Sequence, residues 1–143
     1  MLNFVESEDE LAFVLAHEIA HIELDHGLNA IKSKQGADLF QGAAGNAMQG
    51  LDGLFDFIEN GFSSDLEGEA DQRGAELAAR AGYDPGAGVR VIERLEKLQG
   101  RKHGTGYPAD RKSAIQKVAR SNSSVSAESI KIRTERFNAI VGK

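Results

Sequence analysis

The chain contains no cysteine, which excludes disulfides and every thiolate zinc site and leaves the redox compartment unread. It has no surplus of basic charge. Its 17 Lys and Arg stand against 22 Asp and Glu, a net charge of -5, so neither a nucleic-acid partner nor an anionic-membrane surface is expected. No run of about 18 uncharged apolar residues could span a bilayer. No basic start leads into an apolar stretch and a small-residue cleavage site. The chain therefore reads as soluble. With 143 residues, 41% of them hydrophobic, it has the length for one domain with a real core but not for two.

What is present is His17-Glu18-Ile19-Ala20-His21, inside a run from Glu8 to Leu28 that reads as one helix opened by a Ser7/Glu10 capping box. Side chains four apart on a helix lie about 40° apart on one face, so both imidazoles can reach one metal ion. Glu18 projects from the flank, where a carboxylate can touch a metal-activated water without taking a coordination position. Around the wheel, Leu11, Leu15 and Ile22 cover one side, Phe13, Ala20 and Leu24 another, and Ala12 and Ala16 a third. A helix apolar on nearly every side is expected to be buried and central. Histidines and a glutamate in such a helix need partners, which a metal supplies. The alternative is a pair of core histidines bonded to backbone. Leu24 and Gly27 stand where the extended metzincin motif needs Gly and His, which excludes that zinc class. His26 falls on the other side of the wheel and reads as a helix-end residue.

Ser63-Ser64-Asp65 opens a second helix that runs to about Ala81 and stops at Gly82, a natural left-handed cap. It carries Glu67-Gly68-Glu69-Ala70-Asp71. Glu67 and Asp71 share a face. A first-turn Glu can simply complement the helix dipole or close a capping box. Zinc in hydrolases, however, takes three protein ligands and keeps a fourth position for water, and Glu67 is the ligand the two histidines lack. Asp71, one turn on, can accept the free N–H of a ligand histidine, for which His17 is the expected partner.

Between the two motifs, Gly36 to Gly61 is rich in Gly and Ala, with Leu39, Phe40, Ala43, Ala47, Leu51, Leu54, Phe55 and Ile58 at helical intervals. It reads as one or two amphipathic helices that pack on the core, cover the cleft, or contact a membrane or partner. Asp84-Pro85 is expected to cap a helix with Val89, Ile92, Leu95 and Leu98 inward and an end at Gly100. After the loop Arg101 to Pro108, Ala109 to Arg120 reads as a basic-faced helix and Ser121 to Ser126 as a linker. Ala127 to Val141 reads as a final helix capped by Ser126, with Ile130, Phe137 and Ile140 inward and its charges solvated.

The two motifs, together with Glu10-Leu11-Ala12-Phe13-Val14-Leu15-Ala16 before them and Gly82-Tyr83-Asp84-Pro85 after, resemble the zinc metallopeptidase family that includes the heat-shock protease HtpX, the CAAX prenyl protease and the barrel-assembly-enhancing protease. The likeness spans roughly residues 8 to 120. It implies one Zn2+ per chain held by His17, His21 and Glu67, with Glu18 as catalytic base. Members often have a His-Pro followed by an Arg where this chain has Tyr107-Pro108 and Arg111. Tyr107, or the nearby His103, is then an oxyanion donor, a plug over the open metal position, or simply an exposed loop residue.

The fold implied is mainly α, a single gluzincin-like domain around the buried zinc helix. Residues 1-120 would form the catalytic core and 121-143 a linker and last helix of the same domain. Because the central helix starts so near Met1, sequence upstream is expected in the full-length protein, including the family's strands and any membrane contact. The expected activity is zinc-dependent hydrolysis of peptide or unfolded-protein substrates, with a family-based lean toward the bacterial cell envelope. The competing readings are a latent, chaperone-like zinc domain with a plugged site, and a metal-free helical interaction module.

Overall fold

In a computed structural model of the chain, residues 4–32, 62–103, 109–122 and 125–142 are described, without the side chains of 30–32, 98–103, 109 and 110. The amphipathic reading of Gly36 to Gly61 therefore lies outside the described residues. Every element among those residues is a helix, in keeping with the mainly α expectation.

Helix α1, Glu8–Glu23, starts at Ser7, whose Oγ accepts the Glu10 N–H at 3.2 Å. Glu10 does not close the capping box. Its Oε2 instead accepts the Glu6 N–H at 2.8 Å and an N–H of Arg94 at 2.7 Å. The single helix expected to reach Leu28 is broken at Leu24 and Asp25, and α2, His26–Lys32, restarts beyond the break. Asp25 takes φ 54, a left-handed conformation that a short polar side chain tolerates. Its own carbonyl then accepts the Asn29 N–H at 2.8 Å and begins the new helix.

Helix α3, Ser64–Arg80, ends as expected. Gly82 takes φ 83, its N–H reaches the Ala79 carbonyl, and the Tyr83 N–H reaches that of Ala78, a Schellman closure. Helix α3 lies on α1 along small residues: Ala16 and Ala20 on one side, Ala70, Gly74 and Ala78 on the other, all buried. At Gly74 the approach is so close that a Cβ would stand 2.9 Å from the His17 backbone nitrogen and 3.0 Å from its Cα.

Helix α4 spans Ala87–His103, starting two residues after Pro85 and continuing through Gly100, where an end was expected. Asp84 still caps it through a turn, its carboxylate accepting the Gly86 N–H at 2.9 Å and its carbonyl the Ala87 N–H at 3.1 Å. Val91 and Ile92 join Phe13, Ala75 and, from α5 (Ala109–Ser121), Ile115 and Val118 in the main core.

Helix α6, Ala127–Val141, is capped by Ser126, which accepts the Ser129 N–H. Phe137 is buried and Ile130 half-buried, but Ile140 is 79% exposed, contrary to expectation. Nor are all its charges solvated. Arg133 pairs with the fully buried Asp9 at 2.8 Å and Arg136 pairs with Glu8. The acids that complement the α1 dipole thus also strap the last helix to the start of the first. Among the described elements, α2, α3, α4 and α6 pack on helix α1. On its outer face Leu15, Ile19 and Ile22 are 50%, 54% and 77% exposed, so apolar character on every side overstated its burial.

Candidate metal centre

The turn period of α1 stacks His17 over His21, and their Nε2 atoms stand 3.0 Å apart. The first turn of α3 brings Glu67 to both. Its Oε2 lies 3.5 Å from His17 Nε2 and its Oε1 3.5 Å from His21 Nε2. Two donors each held about 2.0–2.1 Å from a tetrahedral ion are about 3.3 Å apart. The three spacings bracket that value, though through a different Glu67 oxygen toward each histidine, and one ligand atom from each residue lies within 4.8 Å of the others. Two neutral nitrogens and one carboxylate also form a donor set that suits zinc. The residues present fit a metal.

Each imidazole is backed on its far side. His17 Nδ1 stands 3.1 Å from Asp71 Oδ1, the partner expected from the sequence. Asp71 is buried and gripped by Arg111, which donates to both of its oxygens through Nε and Nη2. Arg111 Nη2 is also 3.0 Å from Glu67 Oε2. Arg111, matched to the family's Arg and placed on a basic-faced helix but given no role, is buried at the site, turned there by the packing of α5 on α3. The sequence carried one hint, an Arg following the Tyr107-Pro108 position.

His21 Nδ1 faces His26 Nδ1 at 3.0 Å, and His26 Nε2 faces Glu69 Oε2 at 3.4 Å. His26 is 1% exposed and opens α2, so it does not sit at the C-terminal helix end expected. The break at Asp25 swings it back beneath His21, a rotation that an unbroken wheel cannot show. Phe62 stacks on His21 with ring centroids 4.1 Å apart and shields the pair.

The charges already favour a cation between these groups. Burial opposes protonation of His17, but the Asp71 and Glu67 carboxylates outweigh it and raise its pKa to about 9. His21 is pushed down to about 4 by burial and by the charge on His17, against the attraction of Glu67. Glu67 resists burial and is held below the usual carboxylate range by His17, Arg111 and His21. The imidazole pair thus carries one positive charge at neutral pH, on His17.

Glu18 is exposed, and it lines, with His17, Glu67, Phe13 and Arg111, a cavity of about 320 Å³ open to solvent on one side. Tyr107 lies outside the described residues, and of His103 only the backbone, at the end of α4, is described.

A helical domain in which a His-Glu-x-x-His helix and a downstream Glu converge defines a metallopeptidase class. The chain belongs to peptidase family M48, whose family model matches residues 1–124. Among its relatives, it is 32% identical over 110 residues to the beta-barrel assembly-enhancing protease of Yersinia pestis, covering 66% of this chain and 23% of that protein. It is similar to two proteins named mitochondrial metalloendopeptidase OMA1. The one from Arabidopsis thaliana is 33% identical over 105 residues, covering 70% of this chain and 21% of that protein. The one from Schizosaccharomyces pombe is 34% identical over 107 residues, covering 70% of this chain and 31% of that protein. The chain thus spans less than a third of the length of these relatives. No solved structure matches it significantly. Among the described residues, no helix is long and apolar enough to cross a membrane.

Proposed function

We propose that the chain is the catalytic core of a zinc-dependent endopeptidase that hydrolyses peptide bonds of protein substrates. The observation that carries this reading is the convergence of His17, His21 and Glu67, contributed by two helices, on one point beside Glu18. His17 and His21 would hold the ion through Nε2 and Glu67 through a carboxylate oxygen. Bound zinc would lower the pKa of a water toward about 7 and polarise the scissile carbonyl.

The chain's own residues do the rest. Glu18, at the open cavity and outside the ligand set, takes the proton from the attacking water and passes it to the leaving amine. Asp71 fixes the His17 tautomer by accepting at Nδ1, which keeps Nε2 free as a ligand. Arg111 holds Asp71 in place and balances the second carboxylate. The cavity's apolar wall of Phe4, Phe13, Val14 and Leu95 offers a surface for a substrate side chain. The relative named for barrel assembly supports a cell-envelope location for the full-length protein.

Metal content and proteolysis test the reading together. The purified chain should bind about one zinc. Its cleavage of an unfolded substrate such as casein should stop with a chelator. Glu18→Gln should keep the metal but lose activity by at least about a hundredfold. Zinc-dependent cleavage that survives this change removes Glu18 as the base. A chain that binds no zinc removes the whole reading.

A further inference from the structure

We infer that His26 is a positioning residue for the metal ligand His21, the middle member of a relay from His21 through His26 to Glu69. The inference rests on the zinc reading above and concerns which ring nitrogen of each histidine carries its proton. A His21 that ligates through Nε2 is neutral and must carry its proton on Nδ1. That Nδ1–H points at His26 Nδ1, 3.0 Å away. His26 Nδ1 must then accept, so the proton of a neutral His26 sits on Nε2, the atom facing Glu69 Oε2 at 3.4 Å. The opposite arrangement, with His26 donating from Nδ1, places the His21 proton on Nε2 and abolishes the ligand.

Three further features agree. His26 is 1% exposed, and burying an imidazole without a use for its nitrogens is costly. Its Nε2 is buried and makes no hydrogen bond, and the acceptor it faces is Glu69 Oε2 at 3.4 Å. The left-handed Asp25 that breaks α1 from α2 is what brings His26 to this place, since five residues on an unbroken helix point some 140° away. The two ligand histidines are therefore backed unequally. His17 has a buried carboxylate directly behind it, held by Arg111. His21 has a second imidazole, with a carboxylate 64% exposed to water at its far end.

Zinc affinity by chelator competition, measured on the wild type, His26→Leu and His26→Asn, tests the relay. His26→Leu removes the acceptor and should weaken zinc binding by roughly 10- to 100-fold. His26→Asn puts an amide oxygen where Nδ1 stands and should recover most of that loss, which a purely space-filling role would not. In the zinc-loaded wild type, nitrogen NMR of the imidazoles should show His26 protonated on Nε2. An Nδ1-protonated His26 overturns the relay even if His26→Leu fails to fold. Unchanged affinity in a folded His26→Leu, or equal loss in both variants, also overturns it while leaving the zinc reading intact. A wild type that binds no zinc overturns both.

Discussion

Gly74→Ala adds one methyl group where α3 touches the backbone of the residue that carries the first candidate ligand. The added Cβ would meet the His17 nitrogen at 2.9 Å and its Cα at 3.0 Å, about half an ångström inside ordinary contact. Neither atom can rotate away, so one helix must move. Overpacking of this kind costs about 1–3 kcal/mol. Replacing a helical glycine by alanine returns about 1 kcal/mol of propensity, so the net loss is about 0–2 kcal/mol. Gly68, six residues earlier on the same helix, has nothing within 4 Å of its Cβ position, and Gly68→Ala should gain about 0.5–1 kcal/mol from propensity alone. The two variants should therefore differ by about 1–3 kcal/mol, which is about 4–12 °C in Tm for a chain of this size. Metal sites tolerate only about 0.2 Å of ligand displacement. A half-ångström shift of α3 should thus weaken zinc binding by Gly74→Ala about tenfold, and Gly68→Ala should leave it unchanged. If both variants are equally stabilised and bind zinc equally, α1 and α3 do not meet as described and the argument from small residues fails.

Asp71→Asn removes one of the two carboxylates that face the buried Arg111. Breaking a buried pair from one side costs about 3–5 kcal/mol, so urea unfolding should show a loss near 3 kcal/mol; under 1 kcal/mol would mean the guanidinium does not depend on Asp71. Glu10 resists burial, but Arg94, the Glu6 N–H and Arg90 outweigh that and hold its pKa below 4.5. A depressed carboxylate contributes stability above its unfolded pKa and loses it as pH falls through the folded one. Glu10→Gln should therefore be less stable than the wild type at pH 7, by about 1.5–3 kcal/mol. The gap should narrow as pH drops below about 4.5. A gap of constant size down to pH 3 would show that ionisation of Glu10 contributes nothing.

Spacing alone revealed that His17 and His21 share a face, because the helical period is the same wherever a helix is formed. Coordination number then called for a third ligand, and Glu67 was the first-turn carboxylate available; Asp71 followed from the same period. The helix ends at Ser7 and Gly82 were equally readable, since a hydroxyl cap and a left-handed glycine act locally. His26 and Arg111 were missed for a different reason. Leu24-Asp25-His26-Gly27 contains no proline, and a break made by a left-handed aspartate looks like any other polar helical position. Arg111 is placed by α5 packing against α3, which no periodicity encodes. Burial failed on the same ground at Leu15, Ile19, Ile22 and Ile140, because an apolar side chain declares a preference and a neighbour must be there to satisfy it.

Arg111 also explains how two carboxylates can stand so near one another, since its guanidinium reaches both Asp71 and Glu67. Asp71 and Glu67 both face His17, and like charges so placed repel. The guanidinium between them cancels one charge, so with neutral imidazoles the cluster carries a single negative charge. The proton held by His17 up to about pH 9 then makes it neutral in the metal-free state. A divalent ion must displace that proton, which leaves one net positive charge beside the exposed carboxylate of Glu18.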